Sequence, residues 1–133
     1  MYRKDSKECS ANEKAAIAEF EKSFRPEWNF PADQFSDWHY MVLSQVGSVG
    51  YHYDKPVVVL MNAKCFSATD IFLAGLKGRE NLTLMGTASG GGSAFKRTVD
   101  LGKTPLELQI ARMASFQADG LLFDGNGFNR TEQ

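Results

Sequence analysis

The sequence predicts an α/β fold, and three observations in its second half support that prediction. Residues 57–61 (Val-Val-Val-Leu-Met) form a continuous apolar run, typical of a buried strand in a parallel sheet that is covered on both faces. A capped apolar segment at 67–77 indicates a helix, and residues 81–85 have the composition of a second short strand. Strand, helix and strand in close succession predict a right-handed βαβ unit.

The composition excludes several classes of protein. The 133 residues suffice for one domain with one core, and a net charge of −1 gives no electrostatic basis for binding nucleic acid or an anionic membrane. No apolar run approaches the roughly 20 residues of a membrane span, and the charged residues after Met1 do not resemble a signal peptide. Cys9 and Cys65 lack the spacing of a metal or redox site, so we expect neither a metal nor a cofactor, while a disulfide between them stays open.

The first 54 residues are predicted to form one helix followed by an irregular, aromatic-rich connection. Residues 10–24 are assigned to the helix because Ser10 and Glu13 match a capping box and apolar residues recur on one stripe. A short helix is also predicted from Asp33–Asp37 through Leu43. An aromatic connection of this length is expected to pack on a surface, including one that this chain does not contain.

Ser67 lies at the predicted corner between strand and helix. Residues 67–70 (Ser-Ala-Thr-Asp) have the form of a capping box with Asp in place of Glu. Free N–H groups and the positive end of the helix dipole collect at such a corner, where a developing oxyanion would be stabilised. The pattern therefore allows two interpretations, a plain N-cap or a nucleophile at a strand–turn–helix corner.

A glycine-rich loop and a hairpin follow the βαβ unit. Three consecutive glycines at 90–92 allow the backbone to approach a neighbour or a ligand closely, although a flexible linker is the alternative. Residues 95–101 and 106–116 are predicted to pair as an antiparallel hairpin. Residues 121–123 are predicted to form a short strand, and residues 124–127 close the ordered part.

The order of these pieces resembles the tail-specific, or carboxy-terminal processing, serine peptidases of the S41 type. The matching pieces are an apolar strand ending in Asn, a Ser-Ala-x-acid helix start, a strand leading to a glycine-rich loop, and an acid-Gly-x-Gly closing segment: Pro56–Asn62, Ser67–Asp70, Leu82–Gly92 and Phe123–Phe128. The resemblance covers residues 55–128. It implies that residues 55–133 are the C-terminal part of such a catalytic domain, with a crotonase/ClpP-like βαβ unit and an antiparallel hairpin, preceded by residues 1–54.

The resemblance also assigns roles to residues of this sequence. It implies that Ser67 is the nucleophile, that the Ala68 N–H is an oxyanion donor, and that Gly90, Gly91 and Gly92 border the path of a peptide or protein substrate. Asp124 stands at about the position of a catalytic Glu, with a side chain that is one methylene shorter.

The catalytic base is not evident in this sequence. One branch of the family carries a lysine base where this chain has Gly92. The chain is therefore similar to the tricorn-type and retinoid-binding branch, whose base is a histidine well upstream of the nucleophile. His39 and His52 do not match that histidine. The resemblance thus implies that the base and a second oxyanion donor belong to an upstream part of the same catalytic domain.

Several expectations follow from this interpretation. The isolated chain is expected to be inactive, and its uncovered sheet edge and apolar faces predict pairing with another copy. The resemblance favours an exported, periplasmic or cell-envelope location. Two alternatives stay open: a non-catalytic ligand-binding relative of the same fold, and a crotonase-type acyl-CoA enzyme, which would need no Ser67.

Overall fold

The computed structural model describes residues 2–42 and 53–129. The chain divides into two compact units, Met1–Tyr53 and Asp54–Gln133. Helices and small sheets, including one antiparallel hairpin, alternate along the chain, in agreement with the α/β prediction. Neither of the two helices within the described ranges has the length and apolar character needed to cross a membrane.

The first unit is organised around helix α1, Ala11–Ser23. The Ser10 Oγ accepts a hydrogen bond from the Glu13 N–H, and the Glu13 carboxylate accepts one from the Ser10 N–H at 2.8 Å. The predicted capping box is therefore present, and it satisfies two N–H groups that the helix leaves without partners. Strand β1, Tyr2–Arg3, pairs antiparallel with strand β2, His39–Tyr40.

The predicted helix from Asp33–Asp37 through Leu43 is wrong, as far as residue 42, where the described residues end. Turns and the short strand β2 occupy this stretch instead. Local bonds compete with a helical ladder here, because the Ser36 hydroxyl donates to the Asp37 carbonyl. The Trp38 ring also packs edge-on against Phe24 of the C-cap of α1, with ring centroids 5.5 Å apart, which favours an extended chain.

The second unit contains the predicted parallel pair of strands. Strand β3, Val57–Met61, helix α2, Ala68–Leu76, and strand β4, Leu82–Gly86, follow one another along the chain. Strands β3 and β4 pair in parallel from Val57↔Leu82 to Met61↔Gly86. One core lies in this unit, and it is formed by buried residues of both strands, of α2 and of the closing segment: Met61, Leu73, Leu84, Phe123 and Phe128.

The prediction that both faces of β3 are covered is wrong within the described residues. Alternate residues point to opposite faces of a strand, and only the face of Val57, Val59 and Met61 is buried or half-buried. Val58 is 52 % exposed and Leu60 is 76 % exposed. A two-stranded sheet with one helix has too few elements to cover two faces, so the apolar run shows only that the second face is suited to contact another surface.

A hairpin follows the glycine-rich loop. Strand β5, Lys96–Asp100, and strand β6, Glu107–Ala111, pair antiparallel from Lys96↔Ala111 to Asp100↔Glu107. Both strands are shorter than predicted, and every residue of β6 is exposed. The predicted strand at 121–123 is reduced to a single bridge between Phe116 and Leu122.

Candidate active site

Ser67 occupies a strained turn between β3 and α2. Its backbone angles are φ 60° and ψ −116°, and among the described residues it alone has a positive φ without being glycine. These are the angles of the second residue of a type II′ turn, and the matching hydrogen bond runs from the Thr69 N–H to the Phe66 carbonyl at 3.2 Å. Such a conformation costs about 1–3 kcal/mol and is concentrated at functional sites. Ser67 is exposed, as a nucleophile at a strand–turn–helix corner must be.

The predicted capping box at α2 is wrong. The Ser67 side chain makes no cap hydrogen bond, because capping requires an extended backbone at the N-cap and Ser67 has a positive φ. The helix begins at Ala68, whose N–H lies in the first turn and has no acceptor within the helix. None of the hydrogen bonds among the described residues uses this N–H. The corner therefore places a free backbone donor next to the Ser67 hydroxyl.

Asp70 holds three segments of the unit together. It is 0 % exposed, and its carboxylate accepts a hydrogen bond from the Ser89 hydroxyl at 2.6 Å and one from the Gly92 N–H at 3.2 Å. The Ser89 Oγ in turn accepts the Phe128 N–H at 2.7 Å, while the Ser89 N–H donates to the Phe128 carbonyl at 3.0 Å. A buried carboxylate is costly unless donors surround it, so these bonds fix α2, the glycine-rich loop and the closing segment relative to one another.

The sequence analysis missed this role of Asp70. The signal lay in helical spacing, since Asp70 shares its helix face with Leu73 and Ala74, which pack in the core. An acidic residue on the buried face of a short apolar helix needs hydrogen-bond partners from outside that helix. The structure supplies such a partner in Ser89, from the loop that follows β4.

The glycine-rich loop lies directly against the turn that carries Ser67. The Gly90 N–H donates to the Cys65 carbonyl at 2.8 Å. A Cβ atom at Gly90 would stand 2.9 Å from the Ala63 carbonyl oxygen, closer than real Cβ atoms come to backbone. The position therefore needs glycine for close approach of two backbones, and the loop is not a free linker.

The closing segment packs on the same loop with equally little space. Gly91 has φ 66°, and a Cβ atom there would lie 2.6 Å from the Gly127 nitrogen. A Cβ atom at Gly127 would lie 1.9 Å from the Ser89 carbonyl oxygen. The Gly125 N–H donates to the Gly91 carbonyl at 3.3 Å. These contacts bring Asp124, at the start of the closing segment, next to the loop.

Phe66 and Asp124 meet over Gly92. A Cβ atom at Gly92 would lie 2.5 Å from two atoms of the Phe66 ring and 3.2 Å from the Asp124 Oδ1. Phe66 is 56 % exposed, and Asp124 is exposed as well. Any side chain at position 92 would have to displace the Phe66 ring, so this arrangement explains why the loop carries glycine here.

Comparison with known proteins identifies the family. A family model described as Peptidase family S41 matches residues 2–128. The chain belongs to this peptidase family. The match extends beyond residues 55–128, which carry the motifs, and includes the first unit. No curated protein matches the sequence.

The second unit of this S41 peptidase brings most of the predicted site residues together. Ser67 and Ala68 follow Phe66 directly in the turn, and the Phe66 ring lies against Gly90 and Gly92. The Asp124 carboxylate faces the same point above Gly92. The glycine-rich loop thus connects the predicted nucleophile to the predicted acidic residue.

The structure describes one of the two histidines of the S41 chain. His39 belongs to the first unit, where its Nδ1 lies 2.9 Å from the Asp37 carbonyl oxygen. His52 lies outside the described residues. Cys9 and Cys65 are free thiols, so the possible disulfide is not formed. Among residues 2–42 and 53–129, no three metal-ligating side chains cluster together.

An ion pair secures the far end of α2 in the S41 unit. The Lys77 Nζ lies 2.7 Å from the Asp119 carboxylate and 5.6 Å from the centre of the Phe128 ring. Partial burial of Asp119 favours its neutral form, but the hydrogen bonds from Lys77 and from the Leu121 N–H outweigh burial and lower its pKa. Both ends of α2 are therefore tied to the closing segment or to the turn before it.

Proposed function

We propose that this chain carries the nucleophile of a serine endopeptidase and that Ser67 is that nucleophile. The observation that supports the proposal most strongly is the exposed Ser67 in a strained turn at the N-terminus of α2, within a chain of Peptidase family S41. In the proposed reaction the Ser67 Oγ attacks the peptide carbonyl carbon and its proton passes to a base. The peptide C–N bond then breaks, the amine leaves with that proton, and water releases the acyl group from Ser67.

The Ala68 N–H is the first oxyanion donor in this proposal. It is adjacent to Ser67, lies at the positive end of α2 and has no other acceptor among the described residues. An oxyanion hole usually uses two such donors, and each contributes about 3 kcal/mol to stabilising the transition state. A second donor from an upstream part of the catalytic domain completes the hole in this proposal.

The base is also proposed to come from outside the described residues. A lysine base in the loop would have to occupy position 92, which is Gly92 in this chain and is covered by the Phe66 ring. Asp124 does not replace it, because a carboxylate is a much weaker base than the lysine or histidine side chain that such sites use. We therefore assign the chain to the histidine-using, tricorn-like branch and expect the isolated chain to be inactive.

The proposal also accounts for the exposed apolar face of the β3–β4 sheet. Val58, Leu60 and Met85 expose at least half of their surface on this face, and they would be covered by further layers of a crotonase/ClpP-like domain. The partners proposed for this surface are the upstream part of the catalytic domain or, in the isolated chain, a second copy. Sedimentation at tens of micromolar tests this proposal, and a monodisperse monomer would speak against pairing.

A fluorophosphonate probe tests the nucleophile directly. The 133-residue chain and the longest form that its gene encodes are incubated with the probe, and the labelled residue is identified by mass spectrometry. We expect labelling of Ser67 and peptide hydrolysis in the longer form only, both lost in Ser67→Ala. Labelling at another serine, or hydrolysis that survives Ser67→Ala, would show that the nucleophile is assigned wrongly.

A second candidate function is a non-catalytic ligand-binding relative, as in the retinoid-binding branch. The exposed apolar face that includes Leu60, 76 % exposed, favours this candidate because it offers a surface for an apolar ligand. The same probe separates the two candidates, since a ligand-binding relative would leave Ser67 unlabelled in every form of the chain. A crotonase-type acyl-CoA enzyme would also leave Ser67 unlabelled and would need no serine at this corner.

A further inference from the structure

An exposed aromatic ring and an exposed carboxylate adjoin each other next to the turn that carries Ser67. The Phe66 ring and the Asp124 Oδ1 both lie close to the point where a Cβ atom of residue 92 would stand, at 2.5 Å and 3.2 Å. The two groups are therefore no further apart than the sum of these distances. Within the described residues, the Asp124 carboxylate has neither a hydrogen bond nor an ion pair. The Phe66 ring itself occupies the point above Gly92, so the ring and the carboxylate are direct neighbours, and both are exposed to solvent.

This pair of groups has the chemistry that recognises a long basic side chain. The face of an aromatic ring attracts a cation and packs against an aliphatic stem, as lysine and arginine side chains require. A carboxylate without a partner provides the opposite charge and accepts charge-assisted hydrogen bonds from an ammonium or guanidinium group. A purely apolar ligand would use the ring and leave the carboxylate without a function, and an anionic ligand would be repelled.

The position of this pair of groups indicates which kind of molecule would carry the basic side chain. Phe66 is the residue immediately before Ser67, and its carbonyl closes the turn that holds Ser67. A side chain bound against the exposed Phe66 ring and the Asp124 carboxylate would therefore belong to a peptide residue close to the bond that Ser67 attacks. We propose that Phe66 and Asp124 form a substrate subsite for a lysine or arginine side chain. This inference rests on the proposed peptidase function and deepens it.

The architecture around the subsite supports a fixed shape. The Gly90 N–H donates to the carbonyl of Cys65, next to Phe66, and the Gly125 N–H, next to Asp124, donates to the Gly91 carbonyl. The backbone beside Phe66 and the backbone beside Asp124 are thus both hydrogen-bonded to the glycine-rich loop. Preorganised groups of this kind lose little conformational freedom on binding, which favours selectivity over adaptability.

Peptide binding tests the subsite without requiring catalysis. The probes are two fluorescein-labelled, unstructured peptides of Gly, Ser and Ala that differ at one central residue, lysine or norleucine. Fluorescence anisotropy is measured with the Ser67→Ala form of the chain, so that cleavage cannot occur. We expect the lysine peptide to bind about threefold to tenfold more tightly, and we expect this preference to shrink as the salt concentration rises.

Matched variants assign the preference to the two side chains. In Asp124→Asn the preference for lysine should disappear, whereas Glu80→Gln, which removes an exposed charge beyond the C-terminal end of α2, should retain it. Phe66→Ala should weaken binding of both peptides. Phe72→Ala, which removes a ring of nearly the same exposure from α2, 55 % against 56 %, should weaken neither.

The outcomes separate the subsite from the proposed function. Equal binding of the two peptides, no binding of either, or an equal loss of preference in Asp124→Asn and Glu80→Gln would each overturn the subsite. If the longer form hydrolyses peptides through Ser67 without any lysine preference, the subsite is wrong and the proposed function stands. A lysine preference that depends on Asp124 in a chain whose Ser67 no probe labels would support the subsite and overturn the nucleophile.

Discussion

Replacing Asp70 by alanine should destabilise the second unit far more than loss of a helix cap would. The substitution leaves the Ser89 hydroxyl and the Gly92 N–H without their acceptor in a site that is 0 % exposed. A hydrogen bond to a charged group contributes about 1.5–3 kcal/mol, while removing the buried charge itself recovers part of that loss. We therefore expect the free energy of unfolding to fall by about 2–4 kcal/mol.

Urea unfolding followed by far-UV circular dichroism measures this change, since both tryptophans, Trp28 and Trp38, belong to the first unit. Asp124→Ala is the matched control, because it removes an exposed carboxylate that has no partner among residues 2–42 and 53–129, and it should change stability by no more than about 0.5 kcal/mol. Ser89→Ala and the double variant complete a mutant cycle, in which we expect a coupling of about 1–2 kcal/mol. Hydrogen exchange at the Gly92 and Phe128 N–H groups should accelerate in Asp70→Ala. Strict additivity, or a loss no larger than that of the control, would refute the proposed role of Asp70.

Three further predictions concern strain, close packing and pH. Ser67→Gly should be about 1 kcal/mol more stable than Ser67→Ala in urea unfolding, because only glycine relieves the positive φ, and equal stability would argue against strain. Gly127→Ala should cost more than about 3 kcal/mol because its Cβ would meet the Ser89 backbone, whereas Gly102→Ala, with φ 71° and open space, should cost about 1 kcal/mol; similar losses would contradict the packing. The pKa of Asp119 is lower in the folded chain than its ordinary value of 3.8, so its ion pair should stabilise the fold at pH values above 3.8. This contribution should be lost as the pH falls through the lowered pKa of the folded state. The free energy of unfolding of Asp119→Asn should therefore differ from that of the parent chain by up to about 1 kcal/mol at pH 7, and this difference should shrink as the pH falls below 3.8. A difference independent of pH would rule out the ion pair as its source.

The elements of this fold that the sequence predicted are those with a local cause. The capping box of Ser10 and Glu13 defines the start of α1, and the apolar run at 57–61 predicts β3 in its correct position. The parallel pairing of β3 with β4 followed from chain connectivity, since a strand, a short helix and a second strand leave few other arrangements. Each of these predictions needed only neighbouring residues and general rules.

The predictions that were wrong depended on residues distant in sequence. Whether the second face of β3 is covered depends on how many elements surround it, which the strand's own composition does not specify. At 33–43 a helix competes with packing of the Trp38 ring against Phe24. This contact joins residues fourteen positions apart, and no local sequence pattern predicts it. Local propensity is a weak guide wherever such a contact decides the conformation.

Residues 67–70 show how one sequence pattern can support two different structures. In a capping box, the first residue has an extended backbone and its side chain folds back on the helix, so the acidic residue stays at the surface near it. Here the backbone of Ser67 adopts φ 60°, which releases its hydroxyl from the helix, and Asp70 turns inward to Ser89 and Gly92. The same two side chains thus serve a strained, exposed corner and a buried anchor for the loop beside it. Ser89 and Gly92, which lie some twenty residues further along the chain, determine which of the two structures forms. Only their donors make burial of the Asp70 carboxylate favourable. An acidic residue three positions after a candidate nucleophile should therefore be interpreted together with the loop that follows the next strand, and not as a cap alone.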